Sequence, residues 1–246
     1  MLALRDIDVV ILAGGLGKRL QTITGGSQKI LAQIDGKPFI SILIDYLAAQ
    51  GAKRFILCTG HDADNVQSVL KNAHSGLTVL FSKEEEPLGT GGAIKKGASL
   101  VQSDLFLALN GDCFCVIDYN RMVSFHQQHK AKATIAITKI DDARDYGTIE
   151  IDAQQKITAF KEKQSVETGL KPVSTFINTG TYCLNRNIFD VETGLKPVST
   201  KFSIEYNFFP HIVGKDFFGF EVENKFIDIG TPERYAWAKQ HLAGLK

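Results

Sequence analysis

The chain is poor in sulfur, with four cysteines and two methionines in 246 residues. Cys58, Cys113, Cys115 and Cys183 form no C-x-x-C pair and have no histidines at zinc-ligand spacing, which speaks against a disulfide scaffold and fits a reducing cytoplasm. An excess of one charge is also missing. Lys and Arg number 28 against 27 Asp and Glu, a formal net charge of +1, so no long-range field draws in nucleic acid or an anionic membrane and any anion site must be built locally. Long apolar runs are absent too. The stretch Val9 to Gly17 falls far short of the roughly 20 residues of a membrane span. Asp6 and Asp8 precede it where a signal peptide would be basic, so neither export nor anchoring is expected. Finally, no Pro/Gly/Ser-rich linker divides the chain, so one domain spanning residues 1–246 is expected, its halves meeting near residue 130 and sharing a core.

What is present is an α/β pattern. Val9–Leu12, Phe55–Thr59, Leu77–Phe81 and Leu105–Leu109 are short, strongly apolar runs of the kind buried in parallel sheets. Between them lie helical patterns. Ile40, Leu43, Ile44 and Leu47 recur at i, i+3, i+4 and i+7 after Pro38, which suits a first helical position, and Gly51 closes the run. Asp62 is placed to cap a second helix, and Gly92–Val101 reads as a third. This half has the layout of a nucleotide-binding unit, with its site at the carboxyl edge of the strands. From Ala133 onward the texture changes to strands at Thr134–Thr138, Thr148–Ile151, Ile157–Lys161 and Phe176–Leu184, then Lys225–Ile229. A mixed, mainly parallel sheet follows, closed by a helix that Thr231-Pro232-Glu233 opens.

A decapeptide, Val-Glu-Thr-Gly-Leu-Lys-Pro-Val-Ser-Thr, occurs at 166–175 and again at 191–200. The residues after the two copies do not match and there is no third copy, so this is no solenoid. A Thr-Gly turn signal and an internal Pro make each copy a surface loop without a chemical role.

The glycine-rich turn Leu12-Ala-Gly-Gly-Leu-Gly-Lys-Arg-Leu20 directly follows the first strand. Glycines let backbone N–H groups approach a phosphate chain, which a nearby cation neutralises. It is not a Walker loop, because Leu12 stands where the first Gly belongs and Arg19 where Ser or Thr would follow the lysine. Nor is it a dinucleotide fingerprint, because Leu20 replaces the third Gly. A tight turn with incidental charges is the alternative.

With Gln28-Lys29-Ile-Leu, this turn resembles the signature of the sugar-1-phosphate nucleotidyltransferases. Glu86-Pro-Leu-Gly-Thr-Gly-Gly-Ala-Ile94, Leu109-Asn-Gly-Asp112, Asp145-Tyr-Gly-Thr148, Phe160-Lys-Glu-Lys163, Ile177-Asn-Thr-Gly180 and Phe226-Ile-Asp-Ile-Gly-Thr-Pro232 follow in the family's order across nearly the whole chain. Within that family the Glu-Pro-Leu-Gly-Thr-Gly-Gly-Ala segment looks most like the bacterial D-glycero-α-D-manno-heptose 1-phosphate guanylyltransferases. Ile30, Val116 and Gln164 depart from the pattern, Val116 where an Asp is frequent, without removing any charge to which the resemblance gives a role. The resemblance implies a Rossmann-like nucleotide-diphospho-sugar transferase fold that joins a sugar 1-phosphate to GTP and releases pyrophosphate. A mannose 1-phosphate guanylyltransferase, another NTP:sugar-1-phosphate transferase, or a non-catalytic nucleotide-sugar sensor are the alternatives. The repeat domain of the family's longer members is not expected.

By this resemblance Leu12, Gly14, Gly15, Gly17, Gly89 and Thr90 hold the nucleotide, while Arg19 and Lys29 neutralise the departing pyrophosphate. Lys163 takes the sugar phosphate, and Asn110, Tyr146, Gly147, Glu162 and Asn178 take the sugar. Asp112 and Asp228, each just past a strand, would meet at the sheet's edge and hold Mg²⁺, a hard cation that prefers one or two carboxylates plus substrate oxygens. Each has a plainer reading: Lys29 as a surface lysine, either aspartate as a helix cap, Tyr146 as a half-buried strand residue. His126 and His129 read as a solvated helix face, and Cys113 and Cys115 as strand-end packing. Partners are small molecules, with neither nucleic acid nor membrane, serving surface-glycan synthesis.

The duplicated segment gives a direct test. Replacing 191–200 with a Gly/Ser loop of equal length keeps closure entropy nearly unchanged. Turnover near that of the parent protein is the expected result. A large loss in a protein whose thermal melt is unaltered would put the segment at the substrate.

Overall fold

The computed structural model describes residues 2–15, 28–60, 62–70, 73–141, 143, 146–161, 175–190, 201–223 and 226–242. Both copies of the decapeptide lie outside these, the first apart from its final Thr175.

Strand β1 (Asp8–Leu12) lies at the centre of a nine-stranded sheet. A two-residue hairpin, β2 (Gln33–Ile34) and β3 (Lys37–Pro38), leads into helix α1 (Phe39–Ala49). Pro38 thus stands one place before the helix, because it is held in the hairpin opposite Gln33. Strand β4 (Arg54–Thr59), helix α2 (Ala63–Leu70), strand β5 (Thr78–Lys83), helix α3 (Gly89–Ala98) and strand β6 (Leu105–Asn110) complete the expected βαβ half. β4 and β6 flank β1 in parallel register, Val9 opposite Phe55 on one side and Leu107 on the other. The strand order therefore reverses at β1, where α/β sheets open a crevice at their carboxyl ends.

The second half attaches to the same sheet. After β7 (Cys113–Cys115) and α4 (Tyr119–Gln128) come β8 (Ala133–Ile140), β9 (Thr148–Ile151), β10 (Ile157–Lys161) and the long β11 (Thr175–Asn185). β11 runs antiparallel to β6, with Tyr182 opposite Ala108, and also to β8 and β9. Two short helices, α5 (Ile204–Asn207) and α6 (Phe209–Ile212), precede β12 (Phe217–Glu221), which pairs in parallel with β8. β13 (Phe226–Asp228) pairs with β7, and α7 (Pro232–Leu242) follows. β12 escapes sequence reading because its Phe-Phe-Gly-Phe run lacks both β-branched residues and alternation.

The period of two along each strand builds two cores. Val9, Ile11, Leu107 and Leu109 face α1, α4 and α7, and Val10, Ile56, Phe106 and Ala108 face α3 and the aromatic cluster of Phe208, Phe209 and Phe217. Among the described residues no helix is long and apolar enough to cross a membrane.

His126 departs from its expected place on a solvated helix face. It is 1% exposed, with Nδ1 at 2.9 Å from Thr134 Oγ1 and Nε2 at 3.0 Å from Asn185 Oδ1. Its helix packs that edge onto β8 and β11, and two polar partners make the burial tolerable. His129 instead stacks on Phe125, ring centroids 4.0 Å apart.

Burial lowers the His126 pKa from its ordinary 6.5, against the opposing effect of the hydrogen bond it donates to Asn185 Oδ1. The unfolded chain therefore takes up a proton below pH 6.5 that the folded one resists, so this stabilisation is full above 6.5 and is lost as pH falls. His126→Gln is expected to cost roughly 1–3 kcal/mol near neutrality. Its Tm deficit should narrow on going to pH 5.5, whereas a pH-independent deficit would contradict the assignment.

Candidate active site

The cleft at the carboxyl edge of β1, β4 and β6 has a volume of about 1160 Å³, lined by Leu12, Gly14, Gly15, Lys29, Asn110 and Asp112 together with the Lys83–Thr90 segment. The chain leaves β1 through Ala13, whose N–H donates to the Cys58 carbonyl at 2.8 Å, and enters the glycine turn. Gly14 and Gly15 therefore stand at the cleft's edge. Gly17 and Arg19 lie outside the described residues, as do Glu162 and Lys163.

The two aspartates do meet. β6 ends in Asn110, and Gly111 N donates to the Leu12 carbonyl at 2.9 Å, so Asp112 turns up beside the end of β1. β7 then pairs with β13 so that Cys113 faces Asp228, and Ile229 N donates to the Asp112 carbonyl at 3.1 Å. Neither aspartate caps a helix. Lys29, at the head of a short 3-10 turn, places Nζ 2.7 Å from Asp112 Oδ2, so it is no free surface lysine. Asp112 keeps a side-chain exposure of 37% toward the cleft, against 9% for Asp228.

Asp228 is held from three sides. Arg234 Nη1 lies 3.2 and 3.1 Å from its two oxygens, the Gly230 N–H donates at 2.8 Å and the Tyr146 hydroxyl donates at 2.5 Å. Tyr146 is thus no strand residue but a brace, its ring under the Arg234 guanidinium at 4.9 Å and edge-on to Phe226. Burial first, then the hydrogen bond to Asp228, raises its pKa, so it remains a proton donor. Arg234 was missed in the sequence, where Thr231-Pro232-Glu233 signalled only a helix start. That cap forms, Thr231 Oγ1 accepting from Arg234 N at 3.3 Å, and it is what aims Arg234 backward. Cys113 donates to Asp112 Oδ1 at 3.3 Å. Desolvation and the Asp112 and Asp228 charges push its thiol well up, which keeps it protonated.

On the other wall, Gly89 has φ +72°, and a Cβ there would lie 2.6 Å from the Phe202 carbonyl. That carbonyl takes the N–H groups of Gly91 and Gly92, which is why α3 begins three residues earlier than the apolar pattern indicates. Glu84 was also missed. Its Oε2 accepts from Leu88 N at 2.9 Å, and its Oε1 faces Gly14, 3.3 Å from where a Cβ would stand. Its only sequence signal was an acidic triplet at the end of a strand, before Pro87. Asn178 and Gly147 adjoin each other on the β11 side, Asn178 N donating to the Gly147 carbonyl at 3.2 Å, but neither lines the described cleft. Asn110 does, with its Oδ1 buried and unpartnered among the described residues.

The chain is similar to known proteins over nearly its whole length. The chain is 36% identical over 237 residues to the D-glycero-alpha-D-manno-heptose 1-phosphate guanylyltransferase of Aneurinibacillus thermoaerophilus, covering 96% of this chain and 98% of that one. The Campylobacter jejuni enzyme of the same name is 33% identical, with 93% and 97% covered. The crystal structure of HddC from Yersinia pseudotuberculosis, complexed with GMP-PN, superimposes with a TM-score of 0.80 at 37% identity, over 95% of this chain and 98% of that one. The nucleotidyl transferase model matches residues 8–244, from the first strand through both aspartates to the last helix, and the chain belongs to that family.

Proposed function

We propose that the protein joins a manno-configured heptose 1-phosphate to GTP, giving a GDP-sugar and pyrophosphate in the cytoplasm for surface-glycan synthesis. The observation that carries this reading is the Lys29–Asp112 pair, set beside Gly14–Gly15 with Asp228 on the adjoining strand. It puts a cation and two carboxylates where a triphosphate would lie. The similarity to the two heptose 1-phosphate guanylyltransferases supports the substrate pair.

The phosphate oxygen of the sugar attacks the α-phosphorus of GTP. A new P–O bond forms as the bond from that phosphorus to the bridging oxygen breaks, and pyrophosphate carries away the charge. Backbone N–H groups of Gly14, Gly15 and Gly17 hold the triphosphate, and Lys29 and Arg19 neutralise the leaving group. Lys163 offsets the repulsion between the two phosphates, and Asn110, Glu162 and Asn178 take the sugar hydroxyls. Tyr146 and Arg234 keep Asp228 oriented.

Asp112 and Asp228 suit a divalent cation such as Mg²⁺. Asp112 immediately precedes β7 and Asp228 ends its partner β13, and a hard ion that keeps water and phosphate oxygens in its shell needs only one or two such carboxylates. When bound, the ion neutralises the triphosphate and the developing charge.

Glu84 is the base reader in this scheme. A carboxylate accepts, and guanine's exocyclic amine donates.

Pyrophosphate release from GTP and the heptose 1-phosphate should require Mg²⁺ and stop on chelation. Lys29→Ala should lower turnover about 10²–10³-fold. Silence with every NTP and sugar 1-phosphate in a panel would favour a nucleotide-sugar sensor instead. The parent protein should prefer GTP over ITP, which lacks the exocyclic amine, by about 1.5–3 kcal/mol. Glu84→Ala should bring the GTP-to-ITP ratio of kcat/KM close to one, and an unchanged ratio would place base reading elsewhere.

A further inference from the structure

Glu205 is 9% exposed at the first turn of α5, and neither the sequence motifs nor the cleft lining gives it a task. Three hydroxyls converge on its carboxylate. Thr90 Oγ1 lies 2.5 Å and Ser203 Oγ 2.7 Å from Oε2, and the Tyr182 hydroxyl lies 3.2 Å from Oε1. These hydroxyls belong to three different places in the fold: the start of α3, the cap of α5 and the middle of β11.

Backbone donors orient two of these hydroxyls. Ile204 N donates to Thr90 Oγ1 at 3.0 Å, and Tyr206 N donates to Ser203 Oγ at 3.2 Å, so each hydroxyl accepts from the backbone and sends its proton to Glu205. On the far side, Gly180 N donates to Asn178 Oδ1 at 2.8 Å, which fixes the amide. Asn178 Nδ2 then donates to the Tyr182 hydroxyl at 3.0 Å, and Tyr182 in turn donates to Glu205. Both oxygens of the Glu205 carboxyl thus serve as acceptors for hydroxyls from three elements.

The chain of bonds begins at the cleft with Thr90 and ends at Asn178 and Gly180, behind the cleft-lining Asn110. Thr90 lines it directly. Asn178 and Gly180 sit in the irregular part of β11, where the pairing with β8 shifts register between Asn178 and Tyr182. Gly180 has φ +72°, and a Cβ there would come 2.4 Å from Asn110 Nδ2, so the absence of a side chain lets the bulge lie close against the cleft-lining Asn110. We propose that Glu205 is a positioning residue that ties the nucleotide wall at Thr90 to the sugar wall at Asn178 and Asn110, so that the two substrates are held at a fixed separation. Naming the walls nucleotide and sugar rests on the proposed function; the tie itself does not.

Two variants cut the tie at different points. Glu205→Gln puts an amide donor against hydroxyls that already send their own protons there, and should disturb both walls. Tyr182→Phe keeps the buried ring and releases only the β11 side. For Glu205→Gln we expect a higher KM for both GTP and the sugar 1-phosphate, with kcat lower by about 10²-fold, the scale on which a misplacement near 1 Å acts. For Tyr182→Phe we expect a comparable loss for the sugar 1-phosphate, with GTP affinity by calorimetry unchanged within about twofold. Amide hydrogen exchange reads the same split without turnover: faster at 89–92 and 178–182 in Glu205→Gln, faster only at 178–182 in Tyr182→Phe. If the parent protein shows no transfer, the functional reading fails while exchange still decides the tie. Variants that melt earlier but keep both KM values, kcat and the exchange pattern would reduce Glu205 to a stabilising contact and overturn the proposal. So would a Tyr182→Phe protein that loses GTP affinity as severely as Glu205→Gln.

Discussion

Strand β6 is the constraint on which the rest depends. It is parallel to β1 along one edge and antiparallel to β11 along the other, so the register of two sets of backbone hydrogen bonds fixes both halves of the molecule to one ruler. Leu12 is opposite Asn110 on one side, and Thr181 is opposite Leu109 on the other. A slip of one residue on either edge would exchange the faces of the core and carry the cleft residues with it. The Gly111 N–H bond to Leu12 locks the exit of β6 to the exit of β1, and everything from Asp112 onward is aimed from that joint.

Much of this was legible because local chemistry and tertiary structure agree. Thr148–Ile151 and Ile157–Lys161 form as their patterns indicate, and the strongly apolar β1, β4 and β6 are buried in parallel register. Motifs singled out the aspartates and Lys29, which the fold brings to one end of the sheet. What escaped was set by contacts distant in sequence. β12 has no alternation because it is a strand by virtue of β8, and His126 was read as exposed because helical spacing does not reveal which partners wait opposite. Arg234 and Glu84 carry no motif of their own. Their roles come from a cap that reverses one side chain and a turn that folds another onto Leu88.

At the aspartates the charges are met pairwise at short range, Lys29 on Asp112 and Arg234 on Asp228, so these groups are held in place in the absence of substrate. Preorganisation of this kind is what electrostatic catalysis requires. The same economy explains the neutral neighbours: the Cys113 thiol and the Tyr146 phenol stay protonated beside carboxylates, adding hydrogen bonds without adding charge.

The two-stranded ribbon of β7 and β13 has an implication for how the molecule is made. Asp112 is synthesised with the nucleotide half, while its counterpart Asp228, with the Arg234 that steadies it, arrives only after both short helices and β12. Closing so long a loop is slow relative to pairing neighbouring strands. During synthesis the first half can therefore assemble its parallel strands and its Lys29–Asp112 pair while the acidic couple is still incomplete. The last segment to dock is therefore the one that brings the second aspartate to the first.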